Sequence, residues 1–287
     1  MNTFVHYHNN SLFGKFLISV KSDGLLITAK RIHRFILDKL RGLLPMPCVE
    51  KRRVKLSKIL YHTFDGTVGY GPFKGLKLDS NPRWSNRDYA SMLLGLYEKE
   101  ILDSIITVPA SHRTFIDLGA ADGYYGVGVL INDLFDYSYC FEITKIGQKQ
   151  IKANAILNNM LNKLKIFGMA GDNFYTFLWN EGVDLSKCVL LCDIEGGEFD
   201  LFSKKTFDIF KGAVIFIEIH EWHENGIVGF EKLKQSAEHN FEITEFTTGS
   251  RDLSKFPELK KFADTDRWLI CSEGRGQLMT FLRLDPK

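Results

Sequence analysis

An aspartate, a glutamate and a histidine close two apolar runs, and together they have the chemistry to move a proton or hold a cation. Cys188-Val-Leu-Leu-Cys-Asp193 is nearly continuous in apolar residues, as a strand buried on both faces is, and it runs into Asp193-Ile-Glu-Gly-Gly-Glu198. Ala213-Val-Ile-Phe-Ile-Glu-Ile-His-Glu221 follows it in the chain. Consecutive strands are usually neighbours, which sets Asp193, Glu218 and His220 side by side at one sheet edge. Glu218 and His220 are two apart and face the same way if the strand reaches that far. An imidazole titrates near neutral pH, so His220 suits a general base, with Asp193 or Glu218 to orient it. The same trio suits a divalent ion, magnesium or manganese. The base is favoured, because a Glu-x-His pair supplies few oxygen ligands for a hard cation. His223 and Glu195 are reserves for either scheme, and Glu198 reads as an N-terminal helix residue favoured by the dipole.

These groups need a partner to act on, and an earlier stretch supplies its cradle. Thr114-Phe-Ile-Asp-Leu-Gly-Ala-Ala-Asp-Gly-Tyr-Tyr reads as a short strand ending at Asp117, then a glycine turn through Gly119, Ala120 and Gly123, then a helix. The spacing is not the Gly-x-Gly-x-x-Gly that brings amides onto a pyrophosphate. A carboxylate before the turn repels phosphate and suits a ligand bearing an ammonium and hydroxyls. S-adenosylmethionine is such a ligand. About twenty residues on, the strand Tyr137 to Glu142 places Glu142 where an acid grips ribose hydroxyls, ahead of a helix from Lys145 to about Asn159. Ala170 to Asp172, after a third strand edge at Leu164, flank an adenine ring in this reading, Asp172 accepting from its exocyclic amine.

The chain resembles the FkbM-type methyltransferases, within the class I S-adenosylmethionine-dependent group. The resemblance rests on Phe115-Ile-Asp-Leu-Gly-Ala-Ala-Asp-Gly-Tyr-Tyr125, on Asp193-Ile-Glu-Gly-Gly-Glu198 and on Ile217-Glu-Ile-His220, and spans roughly residues 65 to 285. It implies a Rossmann-like α/β fold, with a seven-stranded, mostly parallel sheet between helices, and O-methylation of a hydroxyl on a sugar, glycan, glycolipid or polyketide-like acceptor. Two positions depart from the family pattern: Asp122 stands where an amide is frequent, and Ile143-Thr144 follow Glu142 where a proline is common.

Two other functions stay open, a non-catalytic S-adenosylmethionine-binding protein on the same fold and a nucleic-acid methyltransferase. The second is not favoured, since no Asn-Pro-Pro-Tyr type motif follows Cys192 and no RNA-binding module is visible.

The 287 residues, 45% apolar and 25% charged, are ordinary for a soluble globular protein. The five cysteines form no Cys-x-x-Cys pair, which points to reduced thiols in a cytoplasm. The net charge of +2 hides an asymmetry: residues 1–60 hold 12 Lys+Arg against 3 Asp+Glu, or +9, leaving 25 against 32, or −7, for residues 61–287. The chain therefore divides into a basic, helical extension, 1–60, and a methyltransferase domain, 61–287. Within the extension, Ser11 to Leu44 alternates aliphatic residues with Lys15, Lys21, Lys30, Arg31, Arg34, Lys39 and Arg41. Residues 11–60 suit peripheral docking on anionic membrane at its inner face; the alternative is packing on the core or in a homodimer. Tyr89 to Thr107 reads as one amphipathic helix, with Trp84, Tyr89 and Tyr97 at the mouth of the site.

Overall fold

The computed structural model describes residues 48–80, 87–222 and 226–287. The segment 11–47, the greater part of the proposed membrane or dimer contact, lies outside the described residues, as do Trp84 and His223. Residues from Val49 onward form one compact unit, so positions 49–60, read above with the extension, lie in the same unit as the site. No helix among the described residues is long and apolar enough to cross a membrane.

Seven strands form one sheet in the order β3-β2-β1-β4-β5-β7-β6. They are β1 (Thr114–Leu118), β2 (Tyr137–Phe141), β3 (Leu164–Phe167), β4 (Cys188–Cys192), β5 (Val214–Ile219), β6 (Phe241–Thr247) and β7 (Thr280–Pro286). The first five run parallel, and β7 enters antiparallel between β5 and β6. Period-two alternation divides their side chains between two cores. Phe115, Val189, Leu191 and Phe216 belong to one, and Ile116, Leu190, Cys192 and Ile217 to the other. Both faces are thus covered, which is why β4 and β5 read as unbroken apolar runs.

Helices cover these faces: α1 (Cys48–Thr63), α2 (Tyr89–Leu93), α3 (Lys99–Ile105), α4 (Tyr124–Gly128), α5 (Lys145–Leu157), α6 (Tyr175–Asn180), α7 (Glu198–Leu201), α8 (Lys204–Ile209), α9 (Gly226–Ala237) and α10 (Asp264–Cys271). Sequence signals account for several starts. The Thr144 side chain accepts from Gly147 N and caps α5, and Ser203 does the same for Thr206 N at α8. Helix α1 buries Leu56 and Leu60 in the core, and its Arg53 bonds Glu50, Asp88 and the Ser272 carbonyl.

The single helix expected over Tyr89 to Thr107 is instead two, α2 and α3. Gly95 between them has φ +63°, and a Cβ there would stand 2.5 Å from the Tyr70 carbonyl oxygen, so the chain must turn where the helix would continue. Glu98, just before α3, also takes the left-handed conformation, with φ 45°. The turn-rich entry before them is a small hairpin, with Thr67 bridged to Lys77 and Val68 N donating to Leu76 O.

All five cysteines are free; Cys188 and Cys192 are buried at the two ends of β4.

Candidate active site

The order of strands reverses direction between β1 and β4, and open parallel sheets bind ligands at that crevice, beyond the carboxyl ends of the strands. Here the two strand ends are joined. Asp193 N donates to Leu118 O at 2.9 Å, while Gly119 N and Ala120 N both donate to Phe141 O of β2. Gly119 has φ +91°, and an added Cβ would lie 1.7 Å from the Asp193 carbonyl oxygen, so this turn admits only glycine. Gly123, with φ +84°, precedes α4. Ala121 and Glu195 hold positive φ without being glycine, which places local strain on both sides of the crevice.

Three cavities meet there, and Tyr97 and Asp193 line all of them. The largest, about 510 Å³, is bordered by Glu142, Ile143, Met169, Ala170 and Asp172. A small one, about 80 Å³, reaches inward to Asp117, Ala120, Asp122 and Glu98. The third, about 390 Å³, opens over Glu218, His220, Trp222 and Arg275. Tyr89, read above as a mouth residue, is buried, stacks on Tyr61 at 5.7 Å and donates to Asp79 O.

The proposed cofactor residues come together around the first two cavities. Glu142 is buried and accepts from Thr144 N at 2.6 Å and Ala121 N at 3.1 Å, so it holds the glycine turn as well as facing the cavity. Asp117, on β1 beside Cys140 and Leu191, is buried with its Oδ2 lacking a hydrogen-bond partner among the described residues. Burial, the Asp193 charge and the Glu98 charge push its carboxyl well above the usual range. Burial likewise raises Asp122 to about 6 and Glu98 to about 7. A buried carboxylate cluster of this kind calls for a cation. The glycine cradle and the orphaned Asp117 oxygen fit S-adenosylmethionine, whose sulfonium and ammonium are both positive.

The histidine lines the third cavity, and the residue that orients it is Glu198. One Glu198 oxygen accepts from His220 N at 2.8 Å and stands 3.1 Å from His220 Nδ1; the other accepts from Gly196 N at 2.9 Å. Glu198 is fully buried and anchors this loop, a role beyond the helix-end one expected of it. A carboxylate can only accept, so Nδ1 carries the proton and Nε2 points to Asp193 and Glu195, at 3.5 and 3.6 Å. Burial acts to lower the His220 pKa, but the Glu198 hydrogen bond and the Asp193 and Glu195 charges outweigh it and hold His220 above its ordinary value.

Glu218 does not touch His220. Its Oε1 is bound by Arg275, which also bonds Glu98 and Glu273. Its Oε2 has no hydrogen-bond partner among the described residues. Burial, with Asp193 and Glu98 nearby, raises Glu218 to about 10. The trio Asp193, Glu218 and His220 accordingly divides into two groups sharing Asp193: one with Glu195 and His220, the other with Glu98 and Glu218. Sequence reasoning missed Arg275 and Glu98. The signal for the first was an arginine between two glycines, Gly274-Arg275-Gly276, just before the last strand.

The sheet order, the antiparallel β7 and the glycine cradle at the crevice define a Rossmann-like class I methyltransferase fold. The chain is similar to the METTL16 MTase domain, with TM-score 0.51, 14% identity and coverage of 83% of this chain and 80% of that one. It is also similar to the human methyltransferase 10 domain containing protein, with TM-score 0.50, 15% identity and coverage of 84% and 99%. At these identities the likeness concerns the fold alone. No curated protein matches the chain in sequence. Residues 173–269 match the family model of the Methyltransferase FkbM domain, a span that holds Asp193, Glu198, Glu218 and His220. Over these residues the chain is similar to the FkbM-type, S-adenosylmethionine-dependent methyltransferases, on a class I methyltransferase fold.

Proposed function

We propose that the protein O-methylates a hydroxyl of a sugar, glycan, glycolipid or polyketide-like acceptor seated in the cavity over His220. The observation that carries this reading is the His220 geometry: Nδ1 is tied to a buried carboxylate and Nε2 faces a cavity large enough for one sugar ring. The cofactor supplies an activated methyl group, which leaves the protein to align the acceptor and take its proton.

In this reading Glu198 fixes the ring and tautomer, His220 Nε2 accepts the hydroxyl proton, and the Glu198 and Asp193 charges stabilise the imidazolium that forms. Glu142 would hold the ribose, Asp172 the adenine edge, and Asp117 with Gly119, Ala120 and Gly123 the amino-acid end of the cofactor. Arg275 ties Glu98 to Glu218 and so holds the wall between the cofactor and acceptor cavities.

A phosphodiester acceptor is disfavoured by charge. Asp88, Asp193, Glu195, Glu218 and Glu273 line the acceptor cavity against one arginine, which is already matched to three carboxylates. Nucleic-acid binding instead relies on basic surface.

The test is to incubate the full chain with methyl-labelled S-adenosylmethionine and separated fractions of glycans, glycolipids and RNA. Label is expected in a glycan or glycolipid fraction and lost in His220→Ala by a factor of about 10² to 10⁴. EDTA is expected to change little; inactivation by EDTA reversed by magnesium would replace the base with an ion held by Asp193, Glu195 and His220. Label found in RNA alone would refute the acceptor class.

A further inference from the structure

The acceptor cavity holds more carboxyl groups than the proposed chemistry uses. One carboxyl oxygen each from Asp193 and Glu218, which line it, and from Glu98, which lines the small inner cavity, lie within 4.8 Å of one another. They come from three separate elements: the turn before α3, the end of β4 and β5. Arg275 approaches from one side, and its three kinds of nitrogen are spent on Glu98, Glu218 and Glu273. Of the remaining acids in the cavity, Asp88 is paired with Arg53, and Glu273 also binds Arg251. Glu218 is only 2% exposed, lines the cavity, and keeps Oε2 without a hydrogen-bond partner among the described residues. A buried oxygen of this kind costs free energy unless something outside the chain donates to it.

We infer that the acceptor carries a protonated amine, which seats on Glu218 Oε2 between Asp193 and Glu98 while the neighbouring hydroxyl meets His220. This rests on the O-methylation reading and narrows its substrate to an amino sugar or a similar amine-bearing polyol. An ammonium has three donors, matching three converging oxygens from three side chains. The electrostatics agree: with no cation in place, burial and the neighbouring carboxyls raise Glu98 to about 7 and Glu218 to about 10, and a bound ammonium would take the place of the proton they hold. Glu218 lines the acceptor cavity and neither of the other two, so the cofactor's own ammonium does not account for its free oxygen. Trp222, half-exposed and edge-on to His220 at 5.1 Å, adds an aromatic wall that suits either a cation or a sugar face. The amine also has a chemical use. A positive charge beside His220 opposes protonation of the ring and brings the base toward working pH.

The experiment is calorimetric titration, at pH 7, of the full chain saturated with S-adenosylhomocysteine, using glucosamine, glucose and glucose 6-phosphate as probes. Glucosamine is expected to bind about tenfold more tightly than glucose, the scale of one charge-assisted hydrogen bond, and the phosphate ester more weakly than either. Glu218→Gln is expected to remove the preference for the amine, with binding of S-adenosylhomocysteine reporting that the variant is folded. The inference is overturned if glucosamine and glucose bind alike or glucosamine does not bind. It is also overturned if glucosamine binds only when S-adenosylhomocysteine is left out, which would assign the oxygens to the cofactor, or if magnesium alone occupies the site and excludes glucosamine. Methyl transfer to neutral sugars without any amine preference would leave the O-methylation reading standing and remove only the amine.

Discussion

His220 and Glu198 are joined twice through one oxygen: Glu198 Oε1 lies 2.8 Å from the His220 backbone nitrogen and 3.1 Å from its Nδ1. The pair fixes the ring and sets its titration. Acting against burial, the Glu198 bond and the Asp193 and Glu195 charges hold the imidazolium above its ordinary value. A base works only when deprotonated, so without acceptor the acidic limb of the rate profile is expected above pH 6.5. Glu198→Gln keeps the shape and removes the charge, and the limb should move to lower pH while turnover falls. The kcat/KM profile of the two proteins checks this. A limb that stays in place would mean that His220 is not the titrating base.

Gly119 permits the closest approach in the site. With φ +91° and a Cβ position 1.7 Å from the Asp193 carbonyl oxygen, Gly119→Ala must push β1 and β4 apart at the crevice. The strained conformation alone costs about 1–3 kcal/mol, which for a domain of this size corresponds to about 2–4 °C in Tm per kcal/mol. The stabilisation by S-adenosylhomocysteine should vanish in the same variant. Gly168→Ala, where nothing lies within 4 Å of the added Cβ, is the control expected to keep both. Thermal melts with and without ligand give the comparison.

The parts legible in the sequence are those fixed by local pattern. Cys188 to Cys192 and Val214 to Ile219 are strands because both faces are covered, and the apolar runs say so directly. The pairing of Glu198 with His220 spans 22 residues, and that of Arg275 with Glu98 spans 177. No helical or strand period encodes either contact. Glu198 therefore looked like a helix-end acid, and Glu218 looked like the histidine's partner because it is two residues away. The helix read through Tyr89 to Thr107 failed for a related reason. Its apolar spacing is real, but Gly95 packs against the Tyr70 backbone, a tertiary contact that overrides the pattern.

Glu142 has two tasks, and one substitution should reveal both. Its oxygens accept from Ala121 N and Thr144 N, holding the turn that borders the large cavity. Glu142→Ala leaves those donors unmatched and removes the proposed ribose contact. Hydrogen bonds to a charged group contribute about 1.5–3 kcal/mol, so affinity for S-adenosylhomocysteine should fall about tenfold or more, with a lower Tm even in the absence of ligand. Calorimetry and melting separate the two. Unchanged affinity would remove Glu142 from the cofactor site and leave it as a loop anchor.

Arg275 stands among Glu98, Glu218 and Glu273, and its removal should make stability more sensitive to pH. Burial already raises Glu98 to about 7 and Glu218 to about 10, against about 4.5 for an unfolded glutamate. A carboxyl whose folded pKa lies above its unfolded one subtracts nothing below the unfolded value. It subtracts progressively more as pH rises toward the folded value, because the unfolded chain releases the proton first. Arg275→Met takes away the cation that limits both shifts, so both folded values should climb further. The gap in Tm between wild type and variant is expected to be small at pH 5 and to widen by pH 8. There the loss should approach about 3 kcal/mol, the scale for breaking one side of a buried ion pair. Adding Glu98→Gln to Arg275→Met removes one of the stranded carboxylates and should recover part of the loss at pH 8 but little at pH 5. Melting curves of the three proteins at the two pH values check this. A gap independent of pH would mean that Arg275 acts by packing and leaves the charges of Glu98 and Glu218 unaffected.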